Sequence, residues 1–459
     1  MMKILKFNYK THCFSVFKSH SDFLPFFTKE SMKKFLCAII SCTSIFHLQS
    51  QTLSKTEQQI LGDIEETMSA TMQLLKESVN INSGTLNIMG VRKVGDLYAK
   101  ELSALGFAIE WVRLPDSLKR AGHLVATRKG KKGKRLFLIG HLDTVFEPDM
   151  PANPYTQLTD TSATGQGVTD MKGGDVMIIA ALKALHKRGL LNDVTITVYF
   201  TGDEEKPGVP TSLSRADFIA RAKQHDIALC FETAIGLNLA CIARRGNSDW
   251  MLEVEGRQAH SGGVFGVGGY GAIYEASRII NEFREKMGHE QYLTFNPGLF
   301  LGGAEVNYHP DEQAGEVSGK TNIISPKAVV KGDLRFISNQ QLEKARDSMK
   351  HIASRSLPGA KAKISFTDIY PAMPPTPGNE ALVKKLNEVN LVLGYGEVKA
   401  GDPSQRGAGD ISFVAEYLDC LDGLGSAGRG AHAPGEIINL PLYPKLIKRT
   451  ALLIYRLTR

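Results

Sequence analysis

At 459 residues the chain is long enough for two domains, each with a core of its own. Hydrophobic residues make up 42% and charged residues 22%, ordinary figures for a globular protein. Of the formal net charge of +7, five units fall in residues 1–50, where seven lysines face only Asp22 and Glu30, so the remainder gives no electrostatic case for a nucleic-acid partner.

The chain opens with a leader pattern. Met32-Lys33-Lys34 offers a second start, Phe35 to Phe46 is apolar but too short to span a membrane comfortably, and Ser50 is a small residue near its end. Residues 1–50 therefore read as a signal peptide, with export to the periplasm or the medium. Ile39-Ile40-Ser41-Cys42 resembles a bacterial lipobox, which would make Cys42 a lipid anchor. Cys230, Cys241 and Cys420 show no paired spacing and read as small core residues rather than a disulfide or CxxC metal framework.

Ser54 to Lys76 has apolar residues at helical spacing (Ile60, Ile64, Met68, Met72, Leu75), and Val91 to Leu105 is a second helix. His123–Thr127 and Leu136–Ile139 read as adjacent strands joined by a basic, solvated hairpin tip, 128–135. Thr164 to Asp170 is Gly-rich and irregular. Met171–Arg188 is a helix with Val176, Ile179, Leu182 and Leu185 on one face. Val194–Phe200 and Ile227–Phe231 are buried strands. Strands alternating with helices imply a mainly parallel sheet.

The pattern changes after Arg244-Arg245-Gly246. A strand at 249–255, a helix through Ile273 and Phe283, strands near 299–301 and 328–336, a helix through Leu342 and Ile352, and a strand at 362–366 give the βαββαβ order of a ferredoxin-like unit. It reads as an insertion, because α/β elements resume near Ala381 and end in a helix over Leu446–Leu457, after the stiff Pro-rich connector 371–378.

Chemistry-bearing residues gather at strand ends. His141 and Asp143 follow the run LFLIG, Asp170 stands in GVTDMKGG, Glu204 and Glu205 end TGDEE, Glu232 follows the Ile227 strand, and His432 lies in the late Gly-rich loop 423–436. An open α/β sheet places its chemistry at the carboxyl ends of its strands. Imidazoles and carboxylates are zinc ligands by type. Two ions suit this set better than one, since a tetrahedral ion needs fewer donors and so many carboxylates would repel each other.

The motifs GHLDT, GVTDMKGG, TGDEE, FET, GRQAHSG and GAHAPGE resemble the zinc-dependent exopeptidase family of glutamate carboxypeptidases, aminoacylases and succinyl-diaminopimelate desuccinylases, and within it the glutamate carboxypeptidase branch most. The resemblance runs from about Ser83 to the C-terminus. It implies an α/β architecture: a mainly parallel-sheet dizinc catalytic domain (51–243 and 360–459) with an inserted ferredoxin-like lid and dimerisation domain (244–359). Asp170 resembles the carboxylate that bridges both zinc ions. His141 and Glu232 complete one metal site, Glu205 and His432 the other. Glu204 matches the general base, and Asp143 the carboxylate that orients His141. On the lid, His260 resembles a histidine that serves the oxyanion from the partner subunit. Asn322 and Arg335 match residues that hold the substrate's free carboxylate. Glu232, where dipeptidase and tripeptidase branches tend to carry Asp, argues mildly against those branches.

The expected activity is an exported carboxypeptidase that releases a C-terminal amino acid, glutamate among the candidates, from peptides or N-acyl conjugates. The alternatives are an N-acyl amino acid amidohydrolase and, in another class, an inactive binding protein on the same scaffold. The Gly262–Gly271 stretch lacks the Lys of a nucleotide loop and reads as a flexible turn into the lid helix. His123, His186, His225, His289, His309 and His351 have no supporting motif.

Overall fold

Leu136, Phe137, Leu138 and Ile139 are buried on both faces of a sheet because apolar residues stand on each side of the strand Lys132–His141. In the computed structural model, residues 52–310 and 312–459 are described. The leader, its alternative start at Met32 and the lipobox at Cys42 lie outside them. Among the described residues no helix is long and apolar enough to cross a membrane.

The larger sheet has six strands. From edge to edge they are Ala108–Val112, His123–Arg128, Val194–Thr201, Lys132–His141, Ile227–Cys230 and Asp419–Leu421. The last four run parallel, and the first two close one edge antiparallel. The expectation that His123–Thr127 and Leu136–Ile139 are neighbours is overturned: Val194–Thr201 lies between them and pairs with both. The basic segment therefore crosses over another strand and is no hairpin tip, and Lys131 and Lys132 donate their amides to Asp193 O. A local reading joins sequence neighbours by default, and here a later strand outcompetes the nearer one. The helix expected over Ser54–Lys76 is two, Lys55–Glu66 and Met68–Val79, because Thr67 breaks the first turn-on-turn continuity and bonds back to Asp63 O.

The helix Lys172–Lys187 is buried nearly all round from Lys172 to Leu182, not along one face. It lies between the sheet and the helices Lys55–Glu66, Met68–Val79 and Tyr443–Leu457, the place for a helix apolar on every side. Its opening Gly173-Gly174 lets it abut the strand ends. A Cβ on Gly174 would stand 2.1 Å from Phe231 O, and one on Gly173 would stand 2.4 Å from Ser426 Oγ and Val168 O. This close approach brings the start of the helix that follows Asp170 against Phe231, the residue before Glu232. We expect Gly174→Ala to cost about 1–3 kcal/mol, the usual overpacking range, in urea unfolding, and to reduce bound metal per chain. Wild-type stability and metal content would remove the contact from the account.

The smaller sheet holds Thr294–Gly303, Lys327–Phe336, Gly246–Gly256 and Ala360–Tyr370 in that order, all antiparallel, with the helices Gly271–Met287 and Asn339–Ser354 over a separate core around Trp250, Phe283 and Met349. This is the ferredoxin-like arrangement. One boundary moves. Ala360–Tyr370 pairs along its length with Gly246–Gly256, so these residues belong to the inserted sheet and not to the returning catalytic segment that was expected to begin at 360. An additional hairpin, Glu305–His309 with Ala314–Ser318, interrupts the pattern between two lid strands. Cys230, Cys241 and Cys420 are buried and free, in keeping with small core residues.

Candidate metal centre

Three parallel strands deliver the site. His141 ends one strand, Thr201 ends the next and leads into Glu204 and Glu205, and Cys230 precedes Glu232. Asp170 enters from the loop before the buried helix. His432 enters from the late loop, at a left-handed φ of 64°.

These six side chains converge. His141 Nε2 lies 3.2 Å from Asp170 Oδ1 and 3.7 Å from Glu232 Oε1. His432 Nε2 lies 3.1 Å from Asp170 Oδ2 and 3.1 Å from Glu205 Oε2. The two oxygens of Asp170 therefore face different histidines. His141 with Glu204 and Glu232, and His141 with Asp170 and Glu205, each bring ligand atoms within 4.8 Å of one another. Glu205 Oε1 is buried without a hydrogen-bond partner, which suits an atom waiting for a cation.

The electrostatics agree. Burial, together with the neighbouring carboxylates, pushes Glu204 well above the ordinary carboxyl range and Glu232 up to about 7. Burial opposes the charge on Asp170, but hydrogen bonds from His141 and His432 hold its pKa below the ordinary value. Hydrogen bonds to Asp170 and Glu205 push His432 up to about 11. Four crowded carboxylates, three of which (Glu204, Glu205 and Glu232) have their charge disfavoured, are a donor set that divalent cations would relieve.

The role expected of Asp143 is broader than orienting His141. Its carboxylate lies 3.5 Å from His141 Nδ1, whose nearer partner is the Asp143 carbonyl at 3.0 Å. The same carboxylate accepts the amides of Glu204 and Glu205, each at 3.0 Å, and the Thr85 hydroxyl at 2.7 Å. It joins two strand tips. The lid residues stand apart from this cluster. His260 is exposed and its Nδ1 accepts the Gly262 amide. Asn322 lies beside it, its carbonyl accepting the Ser261 amide at 2.9 Å. Arg335, near the other end of the lid sheet, donates Nε to Asp333 at 2.8 Å.

Several supporting residues escape sequence reasoning. The buried Glu436 accepts amides from Gly167, Thr169 and Asp170 and the Thr169 hydroxyl, clamping the loop that presents Asp170. His123, which no motif supported, is fully buried. Its Nδ1 accepts the Gly202 amide at 3.2 Å, and its Nε2 lies 2.9 Å from Ser214 O. Arg215 is also fully buried and bonds Asp203 and Asp410 behind the Glu204–Glu205 turn. Only the Glu436 position carried a signal, as the last residue of GAHAPGE.

The profile of peptidase family M20/M25/M40 matches residues 137–456. The chain is 29% identical to carboxypeptidase G2 of Pseudomonas sp. (strain RS-16) over 409 residues, 87% of this chain and 92% of that one. It is 28% identical to succinyl-diaminopimelate desuccinylase of Polynucleobacter necessarius over 298 residues, 62% of this chain and 74% of that one. Its fold is like that of aminopeptidase PepT from Bacillus cereus (TM-score 0.65, 17% identity, 85% of this chain and 98% of that chain). It is also like that of a dinuclear metal-binding peptidase of the M20 family from Bacillus subtilis (TM-score 0.59, 14% identity, 86% and 99%).

Proposed function

The chain belongs to peptidase family M20/M25/M40, and we propose that it acts within that family as an exported dizinc carboxypeptidase, releasing a C-terminal amino acid such as glutamate from peptides or N-acyl conjugates. The observation that carries the reading is Asp170, with one oxygen turned to His141 and the other to His432. That arrangement suits a carboxylate shared by two ions.

His141, Asp170 and Glu232 would hold one ion, and Asp170, Glu205 and His432 the other. Bound divalent ions would supply a water acidic enough to attack at neutral pH and would polarise the amide carbonyl. Glu204, in the same cavity, takes the proton from the attacking water and returns it to the leaving nitrogen. Asp143 keeps Glu204 in register with His141 through the backbone bonds described above. His260, from the lid of a second copy, serves the oxyanion, and Asn322 and Arg335 on the lid hold the substrate's carboxylate. A homodimer through the lid follows from this assignment. Light scattering that shows a fully active monomer would overturn it.

The likeness to succinyl-diaminopimelate desuccinylase supports a second reading, an N-acyl amino acid amidohydrolase with the same metals. An inactive binding protein would have lost a donor or the base, yet the full set is in place. Blocked dipeptides and N-acetyl amino acids, assayed in parallel, separate the two enzymes: cleavage of only the acetyl series rejects the carboxypeptidase. Dialysis against a chelator is expected to abolish hydrolysis and lower the melting temperature, with both restored by zinc. Activity that survives metal removal would sink both readings.

A further inference from the structure

A cavity of about 270 Å³ opens over the cluster, with Asp170, Glu204, Glu232 and His432 among its walls. One contact ties the Glu204 wall to the inserted sheet. Tyr370 is buried, and its hydroxyl donates to the Glu204 carbonyl at 2.7 Å. Its ring centroid lies 5.2 Å from that of Phe413, at the end of the short helix Asp410–Phe413. Asp410 in turn accepts the hydroxyl of Thr201, on the strand that leads into Glu204. Tyr370 therefore touches both the glutamate turn and the segment that backs it.

A local irregularity aims Tyr370 there. In a regular strand successive side chains alternate between faces. Along Ala360–Tyr370, the residues Ala362, Ile364 and Phe366 stand opposite Val254, Leu252 and Trp250 and pack on the core beneath the two helices. Tyr370, four residues after Phe366, would share that face. The register slips first: Asp368 pairs with Ser248, but Tyr370 pairs with Asn247. Ile369 is thus the extra residue of a β-bulge, and the bulge turns Tyr370 to the opposite face. Arg335 pairs with Asn247 from the other side. Residues directly opposite one another share a face, so Arg335, Asn247 and Tyr370 form one cross-strand row. Two strand spacings, about 10 Å, separate the outer members.

We propose that Tyr370 is a positioning residue that sets Glu204 in register with Arg335, so that a substrate seated by its carboxylate on Arg335 meets the base at the scissile amide. The inference rests on the reading above of Glu204 as the base and Arg335 as part of the carboxylate grip. The glutamate turn has two tethers. The Glu204 amide donates to Asp143 and ties the turn to the larger sheet, while the Tyr370 bond ties it to the row that carries Arg335. With the second tether gone, the base keeps its chemistry but loses its fixed distance from the grip. A misplacement of about 1 Å at a reacting group can cost about a hundredfold in rate.

The test uses the full chain loaded with zinc and the substrate that the wild type cleaves best. Tyr370→Phe removes the hydroxyl and keeps the ring against Phe413. It should lower kcat about tenfold or more and change KM by less than about threefold, the pattern of a lost alignment rather than lost binding. In an Arg335→Met background the same substitution should cost about threefold at most in kcat, because no gripped carboxylate is left for the base to be aligned with. The two costs are then non-additive, as a coupled pair requires. Amide hydrogen exchange at Glu204 should quicken in Tyr370→Phe, with bound metal per chain at the wild-type level. A smaller fall in kcat, or equal costs in the two backgrounds, would overturn the proposal. So would loss of metal from Tyr370→Phe, by showing that the hydroxyl supports the whole site rather than the base. A Glu204→Gln enzyme with wild-type rates would instead reject the base assignment beneath it, which keeps the two failures apart.

Discussion

Glu204→Gln lowers kcat by about a hundred- to ten-thousandfold, the contribution typical of a positioned acid–base group, while metal content and fold stay at wild-type levels. Glutamine fills the same volume and keeps one acceptor oxygen, but it cannot take up a proton. Glu204 is partly buried and faces the cavity over the cluster. Its backbone is fixed at both ends of the turn. Its amide donates to Asp143, and its carbonyl accepts the Tyr370 hydroxyl at 2.7 Å. Substitution of the carboxylate therefore removes chemistry and leaves the scaffold bonds untouched. Single-turnover rates and metal analysis on the same preparation decide the matter. Activity within about tenfold of wild type would transfer the base to another residue, and lost metal would make Glu204 a ligand.

Arg215→Met is expected to have the largest effect on stability, about 3–5 kcal/mol, the range for breaking a buried ion pair on one side. Arg215 is fully buried. Its Nε donates to Asp410 Oδ1 at 2.8 Å, one Nη to Asp203 Oδ1 at 2.5 Å and the other to Asp203 O at 3.1 Å. Both carboxylates have further commitments. Asp410 accepts the Thr201 hydroxyl, and Asp203 accepts the Ser214 hydroxyl and the Gly208 amide. Methionine would fill the space and leave two buried acids facing each other without a counter-charge. Because Thr201 and Asp203 flank the turn into Glu204 and Glu205, the damage should reach activity before the chain unfolds. Urea unfolding followed by tryptophan fluorescence and by far-ultraviolet circular dichroism measures it. A loss under about 1 kcal/mol would mean that the two acids do not depend on Arg215 as their partner.

The two substitutions also mark how far the sequence is legible. Ligand types are local: a His, Asp or Glu at the end of an apolar run announces itself, and His141, Asp170, Glu205, Glu232 and His432 come together as their motifs imply. Sheet order is not local. Nothing in the basic segment 128–135 says that Val194–Thr201 will slip between its two flanking strands. The support beneath the site is equally silent. Arg215 meets an aspartate nearly two hundred positions away, and Glu436 reaches back to Thr169. Buried ion pairs of this kind have no period and no motif, because their partners are chosen by the fold. Tyr370 stands at the end of a strand that the pattern placed a few residues short, so its bond to the Glu204 carbonyl could not be foreseen.

The inserted unit is joined to the rest through a single doorway. Arg244 and Met373 exchange both backbone hydrogen bonds, at 2.8 and 3.0 Å, where the chain leaves and where it comes back. Entrance and exit are thus one strand spacing apart. A turn of a few residues could bridge that gap, so the intervening stretch is a cassette whose removal would leave every strand of the larger sheet with its neighbours. The same doorway gives any swing of the cassette a narrow pivot, and Tyr370, three residues inside it, would transmit that swing straight to the glutamate turn.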